Sequence, residues 1–127
     1  MAAVSVRYIV RDVAVAIDFY TGRLGFVVEM NPGPGFAMLS RGDLRLLLNT
    51  AAGGGGAGQA MPDGRMPEPG GWNRIQLEVT DLVETVEALK KRGAQFRNEI
   101  VAGNGGKQIL VEDPSGNAIE LFEPRRG

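Results

Sequence analysis

Two periodicities alternate along this chain, and they do so twice in the same order. Val4, Val6, Tyr8 and Val10 are spaced by Ser5, Arg7 and Ile9, the period of two expected of a strand with one buried face, so residues 4–10 read as a strand. After Asp12 the spacing turns helical. Ile17, Tyr20 and Leu24 share one face, Asp12 stands where a helix N-cap is wanted, and Gly25 stands where the C-terminus takes a positive φ. Residues 26–30, 36–40 and 44–49 read as three further strands. Asn31-Pro32-Gly33-Pro34-Gly35 and Arg41-Gly42-Asp43 supply the turns between them.

The pattern then repeats. Residues 74–79 read as a strand, and Asp81 caps a helix with Glu84 three positions on, in a capping-box arrangement. Leu82, Val86 and Leu89 mark its buried stripe, and Gly93 ends it. Strands follow at residues 96–101, 107–111 and 118–123. Placing Asp12 on Asp81 matches Val10 with Val79 and Tyr8 with Leu77, so the halves are an internal duplication in one register. The expected fold class is α+β, with two tandem βαβββ modules making mixed sheets. Module one covers about residues 4–49 and module two about 72–124 of a single domain, 1–127. Neither half covers both faces of its sheet alone, so the two should pair.

Residues 50–71 join the modules and carry Gly53-Gly54-Gly55-Gly56, then Met61-Pro62-Asp63-Gly64. The glycine run lacks the Gly-Lys-Ser/Thr ending of a phosphate-binding loop. It reads either as a flexible linker or as a lid; Met61, Met66 and Trp72 favour a lid, since a spacer has no use for large apolar side chains.

Composition narrows the chemistry. The 127 residues hold 14 basic and 15 acidic side chains, too balanced for a nucleic-acid or anionic-membrane footprint. No apolar run reaches the roughly 20 residues of a membrane span. The absence of Cys excludes disulfide and thiolate chemistry and fits a cytoplasmic setting. The absence of His removes the commonest metal ligand and the usual neutral-pH base.

Near the C-terminus Asp113-Pro114-Ser115-Gly116-Asn117 reads as the turn of a β-hairpin, and Glu120 stands in mid-strand between Ile119 and Leu121. Together with Ile9-Val10-Arg11-Asp12, Asp18-Phe19-Tyr20 and Leu24-Gly25-Phe26, this stretch resembles the glyoxalase/bleomycin-resistance family, also called the vicinal oxygen chelate superfamily, over about residues 4–124. The resemblance implies curved sheets around a cleft, usually completed in a homodimer. It also implies, in metal-using members, one ligand from the first and one from the fourth strand of each module, typically His, Glu or Gln. Those positions fall on Ser5, on Arg45 or Leu46, on Arg74 and on Glu120. Arg45 is preferred to Leu46 because Leu44, Leu46 and Leu48 then share the core face. One ligand type of four survives, so the resemblance is to a metal-free branch, with no metal and no cofactor expected.

Strand parity fills the implied cleft. Ala118, Glu120 and Phe122 share a face, as do Arg74, Gln76 and Glu78, then Ser5, Arg7 and Ile9, then Arg45, Leu47 and Asn49. The expected ligand-binding set is Arg7, Arg45, Arg74, Gln76, Glu78, Glu120 and Phe122, with Phe36, Met38 and Trp72 as apolar walls. The expected function is metal-independent binding of a medium-sized organic metabolite or antibiotic, of the sequestration type. The alternative is a cofactor-free isomerase, cyclase or lyase with Glu120, the better candidate, or Glu78 as general base. A third reading makes the Arg and Glu residues scaffold pairs in a vestigial module.

Overall fold

In the computed structural model of the chain, residues 4–53 and 55–126 are described. Gly54 of the glycine run and the ends of the expected 1–127 domain lie outside them. The chain divides into two compact units, Met1–Gly70 and Gly71–Gly127.

In the first unit, β1 (Val4–Ile9) leads into α1 (Val13–Leu24), followed by β2 (Val27–Gly33), β3 (Phe36–Arg41) and β4 (Leu44–Asn49). The sheet order is β1-β4-β3-β2, with β1 parallel to β4 and the other pairs antiparallel. Asp12 accepts from the Val15 amide at 3.1 Å, as its spacing predicts. Gly25 closes the helix at φ 76, in the left-handed region, with its N–H on the Tyr20 carbonyl. Val13, Ala16, Tyr20 and Leu24 form the buried stripe, over a sheet face on which Leu39, Leu46 and Leu48 are wholly buried. Ile17 is only half-buried. The Tyr20 ring meets Phe19 and Phe26 edge-on, centroids 5.3 and 5.5 Å away. The predicted five-residue turn shrinks to Pro34-Gly35, because β2 runs on through Asn31, Pro32 and Gly33. Strand β2 is a sheet edge whose register slips twice, which is where a strand tolerates a proline lacking an N–H.

The second unit holds β5 (Ile75–Glu78), α2 (Leu82–Lys91), β6 (Gln95–Phe96), β7 (Val101–Ala102), β8 (Gly106–Glu112) and β9 (Ala118–Pro124). Its order is β5-β9-β8, with β6 and β7 both paired to β8, and β5 runs parallel to β9. The strand expected over 96–101 is therefore broken in two. Between the pieces Arg97 N donates to the Leu110 carbonyl at 2.9 Å, and the Asn98 side chain accepts from Leu110 N at 2.9 Å. An amide side chain thus stands in for a backbone carbonyl, and the main chain is free to bend away. At α2, Glu84 N donates to Asp81 at 3.1 Å, and the Leu82 N–H is taken by Glu123 from β9 at 2.8 Å. Leu82, Val86 and Leu89 are buried, as are Ile109, Val111, Ile119 and Leu121.

The hairpin turn between β8 and β9 is built by Asp113, whose Oδ1 accepts from Ser115 N at 2.8 Å and Asn117 N at 3.0 Å. Its Oδ2 accepts from the Asn117 side chain at 3.0 Å, and Gly116 takes φ 88. Beyond β4, Gly53 N donates to the Thr50 carbonyl, Ala52 N to that of Gly58, and Gln59 N to that of Gly56. A Cβ on Gly58 would lie 2.2 Å from the Gly53 carbonyl oxygen, so this glycine is required by chain crossing rather than by flexibility.

Candidate functional site

The predicted site residues fall into two sets, one in each unit. In the first unit, cross-strand pairing aligns them in rows on the sheet face opposite the buried leucines. One row runs Ser5–Arg45–Ser40, the next Arg7–Leu47–Met38–Met30, the third Ile9–Asn49–Phe36. Parity alone therefore puts Arg7, Arg45, Phe36 and Met38 on one face, and Leu46 on the other, wholly buried. Arg7 donates through Nη1 to the Asn49 side-chain oxygen, and Asn49 is fully buried. Arg45 is exposed, and among the described residues no carboxylate lies within ion-pair distance of it.

In the second unit Arg74, Gln76 and Glu120 are joined. Arg74 donates to Glu120 Oε1 from Nε at 3.0 Å and from Nη2 at 2.9 Å, and Gln76 donates to Oε2 at 2.6 Å. The Glu120 side chain is 10% exposed and that of Arg74 29%, so the pair is anchored in the sheet and open on the arginine side. Strand pairing sets this up: Gln76 is opposite Glu120, and Glu78 is opposite Phe122. Glu78 itself is exposed and Phe122 half-buried. Trp72 is 70% exposed; its carbonyl accepts from Arg74 at 3.3 Å.

Sequence reasoning missed the residue that fixes Trp72. The Arg97 guanidinium lies 4.8 Å from the Trp72 ring centroid while donating to Glu112 at 2.8 Å and to the carbonyls of Gly71 and Gly116 at 2.8 and 2.9 Å. Nothing near Arg97 in sequence announces these partners, one of which, Gly71, is 26 positions away. Asn98 did carry a signal, since Asn is depleted within strands. Two concavities of about 670 and 610 Å³ lie elsewhere. One is lined by residues such as Thr80, Lys107, Glu123 and Arg125, the other by Pro32–Phe36 and Thr50–Gly53. Of the predicted residues only Phe36 borders either.

A sequence model of the Glyoxalase/Bleomycin resistance protein/Dioxygenase superfamily matches residues 3–121. The chain belongs to that superfamily. A superfamily member from Sphaerobacter thermophilus has a TM-score of 0.74 at 29% identity, over 97% of this chain and 98% of its own. The antibiotic binding protein TnmS3 from a Streptomyces species gives 0.74 at 24%, over 98% of each chain. A lactoylglutathione lyase from Agrobacterium tumefaciens gives 0.73 at 17%, over 96% of this chain and 92% of its own. The last two likenesses show the fold alone. No match is found among functionally curated proteins.

The metal-ligand positions of the superfamily can now be placed by pairing rather than by counting. Aligning Asp12 with Asp81 matches Arg7 to Gln76; since Gln76 faces Glu120 and Arg7 faces Leu47, the counterpart of Glu120 is Leu47. Neither Arg45 nor Leu46 holds that place. The two hairpins before the fourth strands differ in length, so counting through the turns drifts where pairing does not. The four positions are then Ser5, Leu47, Arg74 and Glu120. Only Glu120 is an anionic donor, and its oxygens are already held by Arg74 and Gln76. A divalent ion needs about three or four donors, and an arginine beside it repels; these residues do not fit one. Among the described residues no cluster of three or more His, Cys, Asp or Glu could hold a metal ion. No helix among them is long and apolar enough to cross a membrane.

Proposed function

We propose that this chain binds a medium-sized organic metabolite or antibiotic without a metal, in a resistance or sequestration role, as a homodimer in the cytoplasm. The observation that carries this reading is the Arg74–Glu120–Gln76 cluster. The guanidinium supplies inside the protein the positive charge that a metal would bring, and the sheet faces keep polar anchors beside apolar side chains. Catalysis by Glu120 fits the same geometry less well, because a general base needs an oxygen free to meet a substrate proton, and three hydrogen bonds already converge on this carboxylate. That an antibiotic binding protein shares the fold agrees with the proposal. Exposed Val27 and Val28 on the edge strand β2 offer apolar surface for a second copy to cover.

Elemental analysis after incubation with Zn²⁺, Ni²⁺ and Mn²⁺ tests the reading. Far less than one ion per chain is expected. Near one ion per chain, lost on Glu120→Ala, would overturn it. Light scattering at tens of micromolar is expected to return the mass of a dimer.

A further inference from the structure

We infer that Arg45 is the charge-selecting residue of a ligand-binding face on the sheet of the first unit, and that the ligand class it selects is a flat polycyclic organic acid. The inference rests on the binding reading above and specifies its ligand. By sequence, Arg7, Arg45 and Arg74 were equivalent anchors; their surroundings separate them. The charge of Arg74 is cancelled by Glu120, and the fork of Arg7 is engaged by Asn49. Arg45 alone of the three has neither a carboxylate in ion-pair range nor a side-chain hydrogen bond among the described residues. Its cross-strand neighbours are Ser5 and Ser40, two small hydroxyl residues that leave room above it. Glu29 of β2 accepts from the hydroxyl of Ser40, the residue opposite Arg45. Because the partner of Arg7 is a neutral amide, its charge adds to that of Arg45, and the face as a whole attracts an anion. A carboxylate meets an arginine fork through two parallel hydrogen bonds, which a neutral amide cannot reproduce in strength.

The shape of the ligand follows from the rows. Leu47 lies two residues along β4 from Arg45, about 7 Å away, and the row Leu47–Met38–Met30 crosses three strands, about 10 Å. Leu47 and Met38 are half-buried, Met30 exposed, and Phe36 closes the next row. A molecule that sets its acid on Arg45 and lies over this row is planar and two to three fused rings across. The methionine side chains, polarisable and unbranched, suit a flat aromatic surface.

Isothermal titration with the matched probes anthracene-9-carboxylate and anthracene-9-carboxamide tests this. The wild-type protein is expected to bind the acid about tenfold or more tightly than the amide. Arg45→Gln should abolish that preference by weakening the acid, leaving the amide unchanged. Lys91→Gln, at an exposed cation closing α2 and outside the binding residues, should keep the preference. Thermal unfolding of each variant establishes that it is folded before titration. If wild type binds both probes equally, or Arg45→Gln retains the preference, the binding reading stands and the assignment of Arg45 fails. If wild type binds neither probe at millimolar concentration, the assignment and the binding reading fall together.

Discussion

The open faces of the two sheets carry opposite solutions to one problem. Both units descend from the same βαβββ plan, and equivalent positions place Arg7 opposite Leu47 in one and Gln76 opposite Glu120 in the other. In the second unit an anion is held by an arginine and an amide, and the local charge sums to zero. In the first, among the described residues, a cation is held by an amide, and a second cation beside it has no counter-ion. A charge half-withdrawn from water is tolerated only when something replaces its hydration. One face found a counter-ion within the chain. The other leaves Arg45 exposed to water, so the two faces differ in electrostatics although they share a frame.

Substitutions can break this comparison in order of effect. The cores serve as the control, because they are alike: Leu46→Ala in the first unit and Leu121→Ala in the second should each cost about 3 kcal/mol, both side chains being essentially inaccessible. Urea titrations followed by circular dichroism measure this; a large disparity would mean that the two halves do not pack alike. Next comes Glu120→Leu, expected to cost about 2 kcal/mol because Arg74 and Gln76 lose their acceptor, less than a fully buried pair would cost since Arg74 reaches solvent. The double change Arg74→Met with Glu120→Leu should recover most of that loss. Failure to recover would show that the cluster supports more of the unit than its own charge pair. The smallest effects separate the cations of the first face. Arg7→Met should cost about 1 kcal/mol by removing the hydrogen bond to Asn49, whereas Arg45→Gln should stay within about 0.5 kcal/mol. If Arg45→Gln were the more destabilising, Arg45 would be a scaffold residue.

Fold-level features were legible because short-range chemistry encodes them. Asp12, Asp81 and Gly25 marked the helix ends, and Asp113 to Asn117 marked a turn whose bonds close within a few residues. Alternation correctly put Arg45 and Leu46 on opposite faces. What parity does not carry is offset: the placing of Leu47 against Glu120 needed the actual strand pairing, because a turn of unequal length changes the count without changing the alternation. The strand over 96–101 failed for a related reason. Asn98 bonds to Leu110, twelve residues away, and local propensity cannot see such a partner. Which arginine would be neutralised was likewise a question of reach across strands, settled between residues 46 positions apart for Arg74 and 42 for Arg7.

The stacking of Trp72 on Arg97 has an optical consequence. Trp72 is the chain's single tryptophan and belongs to the second unit, while both tyrosines, Tyr8 and Tyr20, belong to the first. Each unit therefore carries its own chromophore without any label. Indole emission reports the grip of Arg97 on the hairpin turn, through Gly116, and near-ultraviolet tyrosine dichroism reports the packing of the core around α1. Following the two signals in one denaturation shows directly whether the halves of this duplicated chain melt as one cooperative body or in sequence.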